Sequence, residues 1–408
     1  MTKKVVLAYS GGLDTSVAVR WMQEEWGVEV YCVAVDVGQD RDVGAANDVL
    51  VARALAAGAA GCTIIDARRE MAEEFCAKAI LANARYEGKY PLVSALSRPV
   101  IVRHLVAEAR RVGAQAVAHG CTGKGNDQVR FDVGTRTLAP DLEVLAPARV
   151  WQMTRADSVA YAAKWSIPIE ATAEKIYSID ENLFGRAIEC GQIEDPWEAP
   201  PEEPYTLTRV TDTSDATFTI GFEQGLPVKL DGAACPLEAL LDEVGVRTGS
   251  RGFGRLDMVE NRRVGIKSRE VYECPGALAL ILAHQDLEDL TLERDVHHEK
   301  ARLEPRWSEL VYDGMWYSPL KAALDAFFAE TQRHVTGDVR LKVSAPGVLR
   351  VEGRRSPVAL YDHGLATYDA ADTFRHADAE GFVRLWGLGV QTWADRQSRA
   401  GERPGPVT

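Results

Sequence analysis

Short apolar runs alternate with amphipathic stretches through the first 150 or so residues. Strand-like runs occupy Lys4–Tyr9, Val28–Val37, Cys62–Asp66, Gln115–Ala118 and Glu143–Ala146. Between them apolar positions recur at helical spacing, as over Asp14–Trp26, where Ala18, Met22 and Trp26 form one stripe. A second helix is expected over Arg68–Arg85. Glu70, Glu73 and Glu74 come early in it and Lys78 and Arg85 late, the charge order that a helix dipole favours. A third is expected to open at Pro99 and run to about Arg111, with Gly113 as its stop. Strands and helices in strict alternation predict an α/β fold, a doubly wound, mostly parallel sheet.

The pattern changes at Asp195–Pro204, a Pro-, Glu- and Trp-rich loop or crossing segment. Beyond it, period-two runs over Tyr205–Val210, Ala216–Phe222 and Pro227–Leu230 predict antiparallel strands. Helical patterns near Pro236–Val244, Pro275–Thr291 and Leu320–His334 accompany them, and a strand meander is expected from Val335 to Tyr361. A last helix runs from Ala379 to about Arg399, with Phe382, Leu385, Trp386 and Trp393 suggesting an oligomer contact. The tail Gly401–Thr408 is expected to fray.

Composition narrows the class. The length of 408 residues predicts two or three domains. A net charge of −13 argues against nonspecific nucleic-acid or membrane-surface partners, which need clustered positive charge. No apolar run approaches the ~18 residues that span a bilayer. Met1-Thr2-Lys3-Lys4 leads into a strand and not into a signal-peptide core. The cysteines at 32, 62, 76, 121, 190, 235 and 274 are odd in number and contain no C-x-x-C pair. They suggest reduced thiols in a cytoplasmic protein, without a disulfide framework or zinc site.

The candidate chemistry lies where the predicted strands end. Ser10-Gly11-Gly12-Leu13-Asp14-Thr15-Ser16 follows the first strand and opens a helix. Its glycines let backbone N–H groups approach a phosphate, the helix points its positive end there, and Ser10, Thr15 and Ser16 add hydroxyls. It lacks the lysine of a P-loop and the third glycine of a dinucleotide fingerprint. Asp14 serves either the phosphate or metal edge or the helix N-cap. Asp36-Val37-Gly38-Gln39 and His119–Asp127 end two further strands, and in an open α/β sheet all three segments converge on one edge. Within His119–Phe131, Thr122, Asn126 and Asp127 mix donors and acceptors in a way that suits a zwitterion. Arg130 could grip a second carboxylate with two prongs.

The string S-G-G-L-D-T-S resembles the PP-loop of the ATP pyrophosphatases, which split ATP between its α- and β-phosphates. With H-G-C-T-G-K-G-N-D-Q-V-R-F, Tyr177–Asn182, Gly254–Arg262 and Gly265–Glu273, the chain resembles the argininosuccinate synthase family from residue 4 to about 375. Tyr90-Pro91-Leu92, Ser97-Arg98-Pro99 and Thr336–Arg340 add to the match. The resemblance implies a nucleotide-binding domain over 1–168, an α+β synthetase domain over 169–375 and a C-terminal oligomerisation helix and tail over 376–408. It implies a homotetramer and a ligase joining citrulline to aspartate through a citrulline adenylate, with ATP giving AMP and pyrophosphate.

Residue by residue, the resemblance places ATP on Ala8, Tyr9, Ser10, Gly11, Gly12, Leu13, Asp14, Thr15 and Ser16, with Val35 and Gly120 at the adenosine. Aspartate falls to Thr122, Asn126 and Asp127, and citrulline to Tyr90, Asn126, Arg130, Ser178, Glu260 and Tyr272. Glu260 and Tyr272 flank a run expected to form a short hairpin or a strand–helix joint. No covalent nucleophile and no protein metal ligand is implied, Mg²⁺ being expected to arrive with ATP. Ala95 and Ala187 stand where many members carry serine, so those two hydroxyl contacts are not carried over; Ser94 could replace the first. The rival readings are another PP-loop ligase and a nucleotide-sensing regulator without catalysis.

Overall fold

The computed structural model describes residues 2–39, 43–151, 153–168 and 176–402, with backbone only over 43–46. The chain divides into one compact unit over Met1–Val358 and a second over Ala359–Thr408.

The first unit opens with five parallel strands. They are β1 (Lys4–Ala8), β2 (Glu29–Asp36), β3 (Gly61–Asp66), β4 (Ala116–Ala118) and β5 (Glu143–Leu145), in the order β3-β2-β1-β4-β5. Val5, Val6 and Leu7 of the central strand are fully buried, because helices cover both faces of the sheet. Strand order reverses across β1, so a crevice opens beyond the carboxyl ends of β1 and β4. That is the α/β architecture the alternation predicted.

Two helices depart from expectation. The helix placed at Pro99 begins at Val93 and runs to Val112, so Pro99 lies inside it and not in its first turn. Neighbouring residues start it early: the Ser94 N–H donates to the Tyr90 hydroxyl (2.9 Å), and Leu92 takes a left-handed turn (φ 68°) just before it. An internal proline forfeits one helical hydrogen bond, and burial of Pro99 offsets the loss. The helix expected over Arg68–Arg85 ends at Leu81, with a π-helical stretch at Met71–Cys76. Asn83 has φ 45° and its side chain is drawn to Glu288 and His284, which pulls the chain out of helix.

Two antiparallel sheets follow. One contains β6 (Ser178–Asn182), β7 (Gly185–Glu189), β11 (Arg255–Asn261) and β12 (Lys267–Glu273), in the order β11-β12-β7-β6. The other contains β8 (Ala216–Glu223), β9 (Leu226–Leu230), β10 (Ala233–Ala234), β13 (Gly337–Ser344) and β14 (Val348–Arg355), in the order β10-β9-β8-β13-β14. The expected meander is thus a hairpin ending at Arg355, seated beside β8. Tyr205–Val210 is not a strand. The fully buried Glu273 carboxylate accepts the N–H groups of Thr206 and Thr208 and the Thr208 hydroxyl, in place of a neighbouring strand's carbonyls. β11 and β12 form a hairpin whose register pairs Glu260 with Ser268 and Leu256 with Tyr272.

In the second unit the long helix spans His376–Arg399, three residues earlier than expected, and Phe382, Leu385, Trp386 and Trp393 are exposed on it. The tail from residue 403, and the expected boundary at 169, lie outside the described residues. No helix among the described residues is long and apolar enough to cross a membrane.

Candidate functional site

Two cavities meet at the crevice of the first unit. The larger, of about 600 Å³, lies at the ends of β1, β2 and β4. Of the residues expected there, Gly11 and Ser16 stay behind its wall; Ala8, Tyr9, Ser10, Gly12, Leu13, Asp14, Thr15, Val35 and Gly120 all line it. Gly11 turns the chain at φ 72°, and a Cβ there would overlap Leu50 Cδ1. The Ser16 hydroxyl is fully buried against Tyr9 (3.0 Å), so it braces the loop from inside and is no donor to the cavity. Ser10 and Thr15 join their hydroxyls at 3.1 Å, and the Arg53 guanidinium donates to the Gly11 carbonyl at 2.9 Å. The helix begins at Leu13 with Gly12 as its cap residue, so Asp14 is not the N-cap; it is exposed at the cavity rim. The Gly12 cap leaves first-turn amides without a side-chain acceptor, which is what an anion site requires.

Beneath the second glycine-rich segment, the buried His119 ring organises the chain. Its Nδ1 accepts the Cys121 N–H at 3.2 Å, so its Nε2–H donates to Asp132 at 2.8 Å. Burial pushes the Asp132 carboxyl up, but its bonds to His119 and Arg149 bring it down to about 2.

The smaller cavity, of about 380 Å³, is lined by Tyr90, Thr122, Asn126, Asp127, Arg130, Ser178, Glu260 and Tyr272, all eight residues expected at the two amino acids. Ser94 lines it as well, as does Ala187, whose methyl replaces one hydroxyl. Tyr90 stacks on Tyr272 with ring centres 4.3 Å apart, and Tyr86 stacks on Tyr312 at 3.6 Å. The Asn126 amide donates to the Tyr312 hydroxyl at 2.7 Å and accepts the Arg263 N–H at 2.9 Å.

Its charges are already paired. Arg98 donates to Asp127 (2.7 Å) and to Asp180 (2.9 Å), while Arg130 donates to Asp127 (2.8 Å) and to the Tyr312 carbonyl (3.0 Å). Burial raises the Asp127 carboxyl, but the two guanidiniums outweigh it and hold it near 2. Arg130 Nη2 is buried without a partner. A two-pronged grip from Arg130 is therefore not on offer in this arrangement, since Nε and Nη1 are bonded and Nη2 is enclosed. Arg98 lines both cavities, as do Ser10, Gly120, Asp127 and Ser178.

Sequence reading assigned no role to Arg98, Asp180, Glu189, Arg262, Glu270 or Tyr312. Arg98, Asp180, Arg262 and Glu270 sit inside the strings that carry the resemblance, which was the available signal. Glu189 and Tyr312 had none; only the fold brings them to this cavity.

Comparisons with known proteins agree in one direction. Residues 4–168 match the family model described as the argininosuccinate synthase N-terminal HUP domain, and residues 177–393 match the corresponding C-terminal domain. The argininosuccinate synthase of Bacillus licheniformis is 54% identical over 390 residues, covering 95% of each chain. That of Bacillus subtilis is 53% identical over the same span. Among solved structures, a U34-tRNA thiolase from Methanococcus maripaludis covers 41% of this chain and 59% of its own at 15% identity, with a TM-score of 0.26.

Proposed function

The chain belongs to the argininosuccinate synthase family, and from that premise we propose how its two cavities divide the work. The reaction joins citrulline to aspartate at the expense of ATP, giving argininosuccinate, AMP and pyrophosphate, a step of arginine biosynthesis. ATP occupies the larger cavity, with its phosphates over Ser10–Thr15 and its adenosine toward Val35 and Gly120. Citrulline and aspartate share the smaller cavity, with Thr122, Asn126 and Asp127 at aspartate and Tyr90, Asn126, Arg130, Ser178, Glu260 and Tyr272 at citrulline.

The observation that carries this division is the shared wall. Ser10, Gly120, Asp127 and Ser178 face both cavities, so an α-phosphate at the loop lies within reach of a group held in the smaller one. In this reading the citrulline ureido oxygen attacks the α-phosphorus and pyrophosphate leaves. The aspartate amine then attacks the activated carbon and AMP leaves. The protein contributes position and charge stabilisation: loop amides and the helix end face the leaving pyrophosphate, and Arg98 stands between the two cavities.

Among the described residues no cluster of His, Cys, Asp or Glu is arranged to hold a metal alone. The donor set suits a Mg²⁺ ion carried by the phosphates, with the rim carboxylate of Asp14 beside it. Such an ion would neutralise charge on the phosphates. The domain limits we propose are 1–168 and 169–375, with 376–408 as an oligomerisation helix and tail of a cytoplasmic homotetramer.

Isotope exchange between pyrophosphate and ATP tests the assignment. Exchange should require citrulline and no aspartate. Exchange with aspartate alone would overturn it.

A further inference from the structure

The proton count around Tyr272 does not close if every carboxylate near it is ionised. Its hydroxyl lies 2.9 Å from Glu260 Oε2 and 2.8 Å from Glu270 Oε2. A hydroxyl has one proton, so it can donate to only one of these oxygens. The other contact would set a phenol lone pair against a carboxylate, and closes only if that carboxyl is protonated and donates to the phenol.

The surroundings decide which carboxyl that is. Glu270 has a cation in contact: Arg262 Nη2 donates to its Oε1 at 2.8 Å and to Glu189 at 2.7 Å. Glu260 has only neutral partners, the hydroxyls of Tyr272 and of Tyr312 (2.7 Å). Arg130, from the helix Asp127–Leu138, comes near but is committed to Asp127 and to the Tyr312 carbonyl. Tyr90 and Tyr86 add rings and no charge, and no histidine lines this cavity. Glu260 is 2% exposed, and burial, then the neighbouring Glu270 charge, lift its carboxyl to about 7 against the pull of the two tyrosines and Arg130. The chain runs from Glu260 Oε2–H to the Tyr272 hydroxyl, and from its proton to Glu270.

We infer that Glu260, Tyr272 and Glu270 hold one proton beyond the phenol's own in the unliganded protein, and that citrulline expels it on binding. A zwitterionic amino acid brings an ammonium that a neutral carboxyl receives poorly and a carboxylate receives well. Glu260 therefore loses its proton to solvent as the ammonium enters. Glu270 touches no ligand in this account. It is a positioning residue that sets when Glu260 can ionise. The inference rests on the proposed citrulline site.

Calorimetric titration of the full-length protein with L-citrulline tests it, in buffers of different ionisation enthalpy between pH 6.0 and 8.5. Near pH 6 about one proton should leave per citrulline, falling toward none at pH 8.5, with affinity rising about tenfold per pH unit below the midpoint. Glu270→Gln removes the neighbouring charge and lets Tyr272 donate to Glu260 but leaves its burial, so proton release at pH 7 should fall and its midpoint should move to lower pH. No proton exchange in the wild type, or a wild-type midpoint in Glu270→Gln, overturns the inference while leaving the citrulline site in place. Wild-type affinity in Glu260→Gln at pH 8.5 instead removes Glu260 from the citrulline site, and the inference with it.

Discussion

The two cavities are built in opposite ways. The phosphate end of the nucleotide cavity takes its working groups from one loop and the helix behind it: amides, a glycine turn and short hydroxyls, with Asp14 at the rim. The amino-acid cavity draws on at least six separated segments, and nearly every charge in it already has an opposite partner. A phosphate is recognised by backbone shape, which a short local sequence can dictate. Two zwitterions that differ in size and charge are recognised by side-chain charges, which must be fixed in place by other charges until the ligand arrives.

The sharpest way to break this contrast is at Asp127. The resemblance alone implies that Asp127→Ala weakens aspartate use and spares citrulline-dependent adenylation. The structure predicts a wider loss. The carboxylate anchors both Arg98 and Arg130, so its removal leaves the buried Arg130 without an ion pair and Arg98 with Asp180 alone. Leaving such partners unpaired costs about 3–5 kcal/mol, a loss on the order of a thousandfold or more. Both pyrophosphate exchange and net synthesis should fall by that order, with a lowered melting temperature. Exchange at wild-type rate would show that the pairs do not couple the two subsites.

On the nucleotide side, shape should matter more than polarity. Gly11→Ala places a side chain at φ 72° and against Leu50, so KM for ATP should rise by about a hundredfold, from ~1 kcal/mol of left-handed strain plus ~2 kcal/mol of overlap. Pairing it with Leu50→Ala should recover the part due to overlap. No recovery would mean that the backbone angle alone matters. The smallest effect should come from Ser10→Ala, which removes one hydroxyl bonded to Thr15 and leaves the amides in place. About 1 kcal/mol, or roughly fivefold in KM for ATP, is expected. A loss as large as that of Gly11→Ala would make the hydroxyls and not the turn the main phosphate ligands.

Much of the frame was legible because it follows from local patterns. Both-face apolar runs such as Val5-Val6-Leu7 announced buried parallel strands, and glycine pairs after them announced an anion loop. Expectations failed where another residue, nearby or distant in the chain, overrode the local pattern. Pro99 reads as a helix start, yet the Tyr90 hydroxyl caps a turn six residues earlier. Tyr205–Val210 alternates like a strand, yet the buried Glu273 carboxylate takes its amides. Of the two roles open to Asp14, phosphate or metal edge and N-cap, the second falls to Gly12.

The sequence by itself determined the parallel sheet and the phosphate loop, since each rests on periodicity or glycine geometry, and its resemblance to a known family named eight of the residues that line the amino-acid cavity. Tertiary structure alone decided that Arg98 bridges Asp127 and Asp180, that Arg130 keeps one buried nitrogen without a partner, and that Tyr272 stands between two glutamates. The physical reason is the nature of charge. A side chain's identity is local, but its ionisation and its free valences are set by whatever the fold places within a few ångströms, and those neighbours come from anywhere in the chain.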